Sequence, residues 1–247
     1  MSDPEISVIA PCFNEEGNIA YLVRRVAESL EPLGVGYELI CIDDCSTDDT
    51  LAKIRQAEAE HEFVRGAHHE KNGGIVKGWR TGYELSRGRM VVTIDADLQY
   101  RPEDMISMYE AIQADPEADL VQGWRQKQVE RSAVRRFMTA GLSWLLNVTF
   151  GMKLRDNKSG YIMYKREVLG DLLTYAHHFR YFQHFVSIAA NALKYRIIQV
   201  PVVFDRRHSG ESFITNPWAF SFESALDIPR ALWLFRIHKP KPALKGN

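Results

Sequence analysis

Two aspartates one residue apart, Asp95 and Asp97, close the apolar run Met90 to Ile94. In an extended chain alternate side chains lie on one side, so these carboxylates share a face. At that separation they repel, and one keeps its proton unless a cation sits between them. All-oxygen ligation favours a hard ion, Mg2+ or Mn2+, that keeps open positions for phosphate oxygens. Gln99 is placed to complete that shell or to orient it. The competing reading is a hydrated strand-end turn. A second acidic pair, Asp43-Asp44, follows the apolar run Tyr37 to Ile42. It reads either as acceptors for a nucleobase or ribose or as helix caps, with Ser46 or Thr47 capping the helix that follows. Asn14-Glu15 carries the same two readings. In Asn72-Gly73-Gly74, Gly78 and Gly82, each helix-interior glycine costs about 1 kcal/mol against alanine. Close packing of helix on sheet, or phosphate contact by the loop amides, would offset that. Arg125, Lys127, Arg131, Arg135 and Arg136 fall in a polar stretch, Gly123 to Arg136. This is either a phosphate site, since arginine's planar fork matches phosphate, or a solvated basic loop. His68 and His69 read as a solvated loop.

The elements that must position these residues follow from periodicity. Apolar runs at Ile6–Ala10, Tyr37–Ile42, Phe63–Ala67 and Met90–Ile94 read as strands. Between them Ile19, Leu22, Val23, Val26 and Leu30, then Leu51, Ile54 and Ala57, then Val76, Trp79 and Tyr83 recur at helical spacing. Such alternation predicts an α/β fold with a mostly parallel, doubly wound sheet flanked by helices. Ligands in such sheets bind beyond the carboxyl ends of the strands, where the polar clusters lie. Further along, 102–114 and 137–150 read as helices, and 118–122, 160–164 and 196–204 as strands. No boundary isolates a second domain.

Composition narrows the function classes. The 247 residues carry 31 Lys+Arg against 32 Asp+Glu, a net charge of −1, so a chain-wide nucleic-acid footprint is absent and nucleic acid is not an expected partner. Cys12, Cys41 and Cys45 form no paired framework, which fits a reducing, cytoplasmic setting, and no second Cys/His pair makes a zinc site of them. The amino end lacks a signal-peptide layout. No run reaches the roughly 18 apolar residues of a membrane span.

Four blocks, V-I-A-P-C-F-N-E-E (Val8–Glu16), I-D-D-C-S-T-D-D-T (Ile42–Thr50), N-G-G-I-V-K-G (Asn72–Gly78) and I-D-A-D-L-Q (Ile94–Gln99), resemble the signature blocks of family 2 glycosyltransferases in order and spacing. D-N-K-S-G-Y (Asp156–Tyr161) and V-P-V-V-F-D-R-R-H-S-G-E-S (Val200–Ser212) are similar to the polyprenyl-phosphate branch, which includes dolichyl-phosphate mannose synthases. The resemblance covers residues 5 to about 212. It implies a GT-A domain over 1–216, with a nucleotide-binding half (1–100) and an acceptor half (101–216). It further implies inverting transfer from a nucleotide-sugar donor to an undecaprenyl or dolichyl phosphate, as in cell-envelope glycan synthesis. Pro11, Phe13 and Glu15 would border the nucleotide, and Asp44, helped by Asp43, would contact base or ribose. Asp95, Asp97 and Gln99 would hold the metal, Mg2+ or Mn2+. Arg125, Arg135 and Thr139 would gather the acceptor phosphate together with Arg207. The chain departs from the branch at Phe213, where lysine is usual, and at Cys45, where glycine is usual.

A phosphate acceptor is already nucleophilic at neutral pH, with a second pKa near 6. It needs cations to hold it. A sugar hydroxyl of a glycan would need a base, for which Asp156 is the candidate. A phosphatase with an aspartate nucleophile also uses Asp-x-Asp, but after its first strand. A non-catalytic nucleotide-binding module is the remaining alternative. The segment 217–247 carries Trp218, Phe220, Phe222, Trp233 and Phe235, then His238, Lys239, Lys241 and Lys245. Pro229 should open a helix there, since proline is tolerated in the first helical turn. The segment is expected to be amphipathic and to rest on the inner face of the cell membrane. Packing against the body or against a second subunit of a homo-oligomer competes with that expectation.

Overall fold

The computed structural model describes residues 3–128, 133–209 and 226–238. Seven strands, β1 (Ile6–Cys12), β2 (Tyr37–Asp43), β3 (Val64–His68), β4 (Met90–Thr93), β5 (Leu120–Gln128), β6 (Ile162–Lys165) and β7 (Ile197–Phe204), form one sheet in the order β3-β2-β1-β4-β6-β5-β7. The first four are mutually parallel, with crossovers through α1 (Ile19–Leu30), α2 (Thr50–Glu60) and α3 (Gly74–Leu85). β6 runs antiparallel to both β4 and β5, while β5 and β7 are parallel. One sheet therefore passes through both halves of the chain.

Strand alternation sorts the core into two layers. Val8, Ala10, Leu39, Cys41 and Val92 face α1, α2 and α4 (Asp104–Ala114). Ile9, Ile40, Ile42 and Val91 face α3, α6 (Arg166–Thr174) and α7 (Val186–Ala192). Complete burial of a side chain such as Ile9 contributes about 2 kcal/mol. The α3 glycines lie against β1: a Cβ on Gly82 would collide with Ile9, and one on Gly78 would sit 2.8 Å from Pro11 Cβ. Of the two offsets considered for these glycines, close packing is the one visible in the structure.

Several elements differ from the sequence reading. Residues 123–128 continue β5 past an irregularity between Arg125 and Lys127, and α5 (Ala133–Phe150) starts inside the expected polar stretch. Pairing with β7 supplies the backbone partners that make this polar sequence a strand. The expected caps Ser46 and Thr47 do not cap α2. Asp48 accepts from the Thr50 amide at 3.0 Å instead. α6, α7 and two short 3-10 turns, Ala176–His178 and Phe182–His184, occupy a stretch to which the sequence reading assigned no element, although Val168, Leu169, Leu172 and Leu173 of α6 recur at helical spacing and are buried.

Pro229 stands in the first turn of α8 (Ile228–Ala231), which continues as a π-helical segment, Leu232–His238. Ala231, Leu234 and Phe235 are buried, with Phe235 stacked on Phe179 at 5.7 Å. Trp233 and Ile237 are 56% and 71% exposed. Trp218, Phe220, Phe222, Lys239, Lys241 and Lys245 lie outside the described residues. Among the described residues no helix is long and apolar enough to cross a membrane.

Candidate active site

The loops after β1, β2 and β4 open at one end of the sheet and are tied to one another. Asn14 adopts a left-handed backbone, φ 55°. Its side chain accepts from the Thr47 amide at 2.8 Å while its own amide donates to Ser46 Oγ at 3.0 Å. The Glu15 amide donates to Thr50 Oγ1 at 2.8 Å. Pro11 and Phe13 are half-buried beside this junction.

Asp43 and Asp44 are both buried, and both are engaged by the protein. Asp43 Oδ2 lies 2.7 Å from His68 Nδ1. Asp44 accepts from the Gly73 and Gly74 amides at 2.9 and 2.7 Å and lies 2.7 Å from His69 Nδ1. The carboxylate therefore sits at the amino end of α3, where the helix dipole and unpaired amides favour negative charge. His69 is 7% exposed and also reaches Thr81 Oγ1 at 2.8 Å. Of the expected solvated loop, His68 is exposed beside Asp43, whereas His69 is buried behind Asp44, because Asp44 needs a partner where water is excluded.

Beyond β4, Leu98 takes a positive φ of 59° and turns the chain so that the Gln99 amide donates to Asp97 Oδ1 at 3.0 Å. The strand-end turn after β7 is laced onto this loop. Asp205 N donates to Gln99 O at 2.8 Å, and His208 N to Asp97 O at 3.3 Å. That lacing delivers Arg207, whose Nη2 is 3.0 Å from Asp97 Oδ2 and whose Nη1 is 2.7 Å from Glu15 Oε1. Arg207 bridges the first and fourth strand-end loops through Glu15 and Asp97.

The electrostatics are those of crowded acids. Burial, and then the neighbouring Asp97, push Asp95 up to about 7 against the pull of Arg207. Burial likewise raises Asp97, opposed by the Gln99 amide and Arg207, and raises Glu15, opposed by Arg207 and Asn18. The site holds more buried carboxylate than one guanidinium neutralises, and its donors are all oxygen. Asp95, Asp97 and Gln99 therefore fit a hard divalent cation. Among the described residues no three His, Cys, Asp or Glu side chains form a ready cage. Two carboxylates and an amide suit an ion that takes its remaining ligands from water and phosphate.

Arg125, on β5, is near enough to Asp95 to favour its charged form. Its Nε and Nη2 donate to Asp156 Oδ2 and Oδ1 at 2.6 and 3.0 Å, and its guanidinium stands 5.5 Å from the Phe204 ring centre. Burial works against its charge, but Tyr100, Asp156 and Asp95 hold its pKa above the usual value. Burial alone would raise Asp156, yet Arg125 and the Lys158 amide hold it below the usual carboxylate range. A carboxylate so held is a weak base. His184, lowered to about 4 by burial and by Lys158 and Arg125, is neutral at physiological pH. Arg135, Arg136 and Thr139 fall within α5, but their side chains, with Lys127, Arg131 and the Glu211–Phe213 segment, lie outside the described part.

A family model described as glycosyl transferase family 2 matches residues 7–186. The chain belongs to that family. Within it, the chain is 32% identical over 166 residues to a dodecaprenyl-phosphate galacturonate synthase of Rhizobium johnstonii, covering 67% of this chain and 49% of that protein. It is 30% identical over 209 residues to an undecaprenyl-phosphate 4-deoxy-4-formamido-L-arabinose transferase of Klebsiella pneumoniae, covering 84% of this chain and 62% of that one. The chain thus spans about half to three-fifths of the length of these relatives. Among solved structures, Mycobacterium tuberculosis glucosyl-3-phosphoglycerate synthase with Mn2+, UDP and glucosyl-3-phosphoglycerate aligns at TM-score 0.61 and 20% identity, over 94% of this chain and 79% of that one. Staphylococcus aureus TarS residues 1–349 align at TM-score 0.63 and 18% identity, over 95% and 68%. These likenesses establish the GT-A fold of this family 2 chain.

The sequence reading missed Asn18, Tyr100, Gln122, Ser159, His184 and Gln199, which surround the site. Gln122 and Gln199 had a signal: each is a lone polar residue inside an apolar strand run, L-V-Q-G-W and I-I-Q-V-P.

Proposed function

We propose that this chain is an inverting, metal-dependent glycosyltransferase that moves a sugar from a nucleotide-sugar donor to a polyprenyl phosphate. The carrying observation is the fixed Asp156–Arg125 pair beside Asp95. The carboxylate best placed to deprotonate a hydroxyl is committed to an arginine and held strongly acidic. Among the described residues the guanidinium makes no other ion pair or hydrogen bond. An acceptor that arrives already anionic fits such a site, and a hydroxyl that must lose a proton does not. The names of the two relatives, both acting on polyprenyl phosphates, support the same acceptor class.

Pro11, Phe13 and Glu15 border the nucleotide in this reading. Asp43 and Asp44 hold the loop walls from behind, through His68, His69 and α3. Asp95, Asp97 and Gln99 would hold Mg2+ or Mn2+, which when bound would neutralise charge on a departing diphosphate. Arg207 keeps Asp97 and Glu15 in register, and Arg125 grips the acceptor phosphate, a role the family resemblance gives to Arg135 as well. Positioning the phosphate in line behind the anomeric carbon supplies most of the remaining acceleration.

The same reading places the protein on the inner face of the membrane. Trp233 and Ile237 are exposed beside Arg236 and His238 at the carboxyl end, and Trp144 and Val148 are 66% and 60% exposed on α5. Exposed apolar side chains, those of the last helix beside Arg236, suit the headgroup region.

The test is transfer from a panel of radiolabelled nucleotide sugars to undecaprenyl phosphate with Mn2+, using wild type and Asp97→Asn. Labelled lipid from the wild type alone is expected, with a loss of at least 100-fold in the variant. Transfer to a glycan hydroxyl and none to the lipid phosphate would overturn the acceptor assignment. Equal transfer by Asp97→Asn would overturn the metal site.

A further inference from the structure

Gln122 on β5 and Gln199 on β7 are paired across the two strands, and their amides are joined, Gln199 Nε2 donating to Gln122 Oε1 at 2.9 Å. The same Nε2 donates to the Asp156 carbonyl at 2.9 Å, and Gln199 Oε1 accepts from the Arg155 amide at 2.7 Å. Gln122, fully buried, donates onward to the Ser159 carbonyl and to Ser187 Oγ, both at 2.9 Å. Two strand glutamines thus grip the backbone of 155–159 at three points. That segment carries Asp156, and Asp156 carries Arg125.

Only a carboxamide suits the Gln199 position. It must accept from one backbone N–H while donating to a backbone carbonyl and to Gln122. A carboxylate of the same shape would set oxygen against oxygen twice. An alkyl group would take the partner from the part-buried Asp156 carbonyl and from Gln122, and from the more exposed Arg155 amide, so the grip on 155–159 is lost where water only partly replaces it.

The consequence falls on Arg125. Asp156 takes its Nε and Nη2 and Phe204 lies 5.5 Å from its guanidinium carbon, which fixes both the edge and the plane of the fork. No hydrogen bond uses Nη1 among the described residues. A phosphate therefore meets a guanidinium whose orientation is already set, and less entropy is lost on binding.

We propose that Gln199 is a positioning residue for the acceptor phosphate, acting through Asp156 on Arg125. The inference rests on the reading of Arg125 as the phosphate-binding arginine. Binding of farnesyl monophosphate is measured by calorimetry with UDP and Mn2+ present, and UDP–Mn2+ binding is measured separately. Wild type is compared with Gln199→Leu, Arg125→Lys and the double variant. Gln199→Leu should weaken farnesyl phosphate about tenfold and leave UDP–Mn2+ within twofold. On the Arg125→Lys background the same change should cost less than twofold, because a residue acting through the guanidinium has nothing left to position. A merely structural glutamine would give the same loss on both backgrounds, and that result overturns the proposal, as does unchanged farnesyl phosphate binding by folded Gln199→Leu. If Gln199→Leu does not fold, Gln199→Glu carries the same comparison. An Arg125→Lys protein that binds farnesyl phosphate as wild type does would overturn the acceptor reading itself, and the role of Gln199 with it.

Discussion

Replacing Asp95 by asparagine should stabilise the metal-free protein, and more so at pH 8 than at pH 5. In the folded chain Asp95 is pushed up to about 7, against about 3.9 for an aspartate in an unfolded chain. With the folded value above the unfolded one, the unfolded state gives up its proton first. Stability is then lost progressively as pH rises from about 4, and the loss is complete above 7. Between pH 5 and 7 it amounts to about 2.7 kcal/mol, at about 1.4 kcal/mol per pH unit. Asp95 as a residue is half-buried, and discounting for solvent screening leaves about 2 kcal/mol as the figure to expect. For a chain of this size that is about 4–8 °C in Tm. Asparagine has no such term, so its Tm advantage in EDTA should widen by that amount from pH 5 to pH 8. Thermal denaturation at the two pH values reads it directly. Saturating Mn2+ should then reverse the order, since a ligand at 100 times its Kd adds about 2.7 kcal/mol to the wild type alone. A Tm difference that stays constant or narrows with pH would refute the picture of crowded, under-neutralised acids at the end of β4.

Asp44→Ala should cost about 3–5 kcal/mol, because it strips a buried acceptor from the Gly73 and Gly74 amides and from His69. A fall of about 10 °C in Tm is expected; a shift under 2 °C with a tenfold weaker UDP affinity would instead make Asp44 a direct nucleotide ligand. Trp233→Ala with Ile237→Ser should lower co-sedimentation with anionic liposomes several-fold while leaving Tm within about 2 °C, both side chains being exposed. Binding should also weaken with salt, and sedimentation equal to wild type would remove these residues from any membrane surface.

Much of this protein follows from the sequence by itself. The four parallel strands, the helices between them and the polar clusters at their carboxyl ends are readable because burial on both faces of a parallel sheet demands apolar runs, and amphipathic helices show their period. The nearness of Asp95 to Asp97 was legible in their spacing, but not its geometry: β4 ends at Thr93 and residues 96–97 turn, so the turn and not strand alternation orients the pair. Family membership is legible in short blocks that are contiguous in the chain.

Tertiary structure alone decided how the charges are shared. Arg207 meets Glu15 across 192 positions of sequence, and Gln199 meets Gln122 across 77. Nothing in residue spacing announces either contact. Asp44 looked like a cap for the helix that follows it in sequence and turned out to lie at the start of α3, because the crossover brings β2 beside that helix end. Asp156 kept the residue type of a base but lost the chemistry of one, since a buried carboxylate takes its acidity from what stands opposite it. Ionisation and hydrogen bonding depend on distances of a few ångströms between groups far apart in the chain, and only the folded sheet sets those distances.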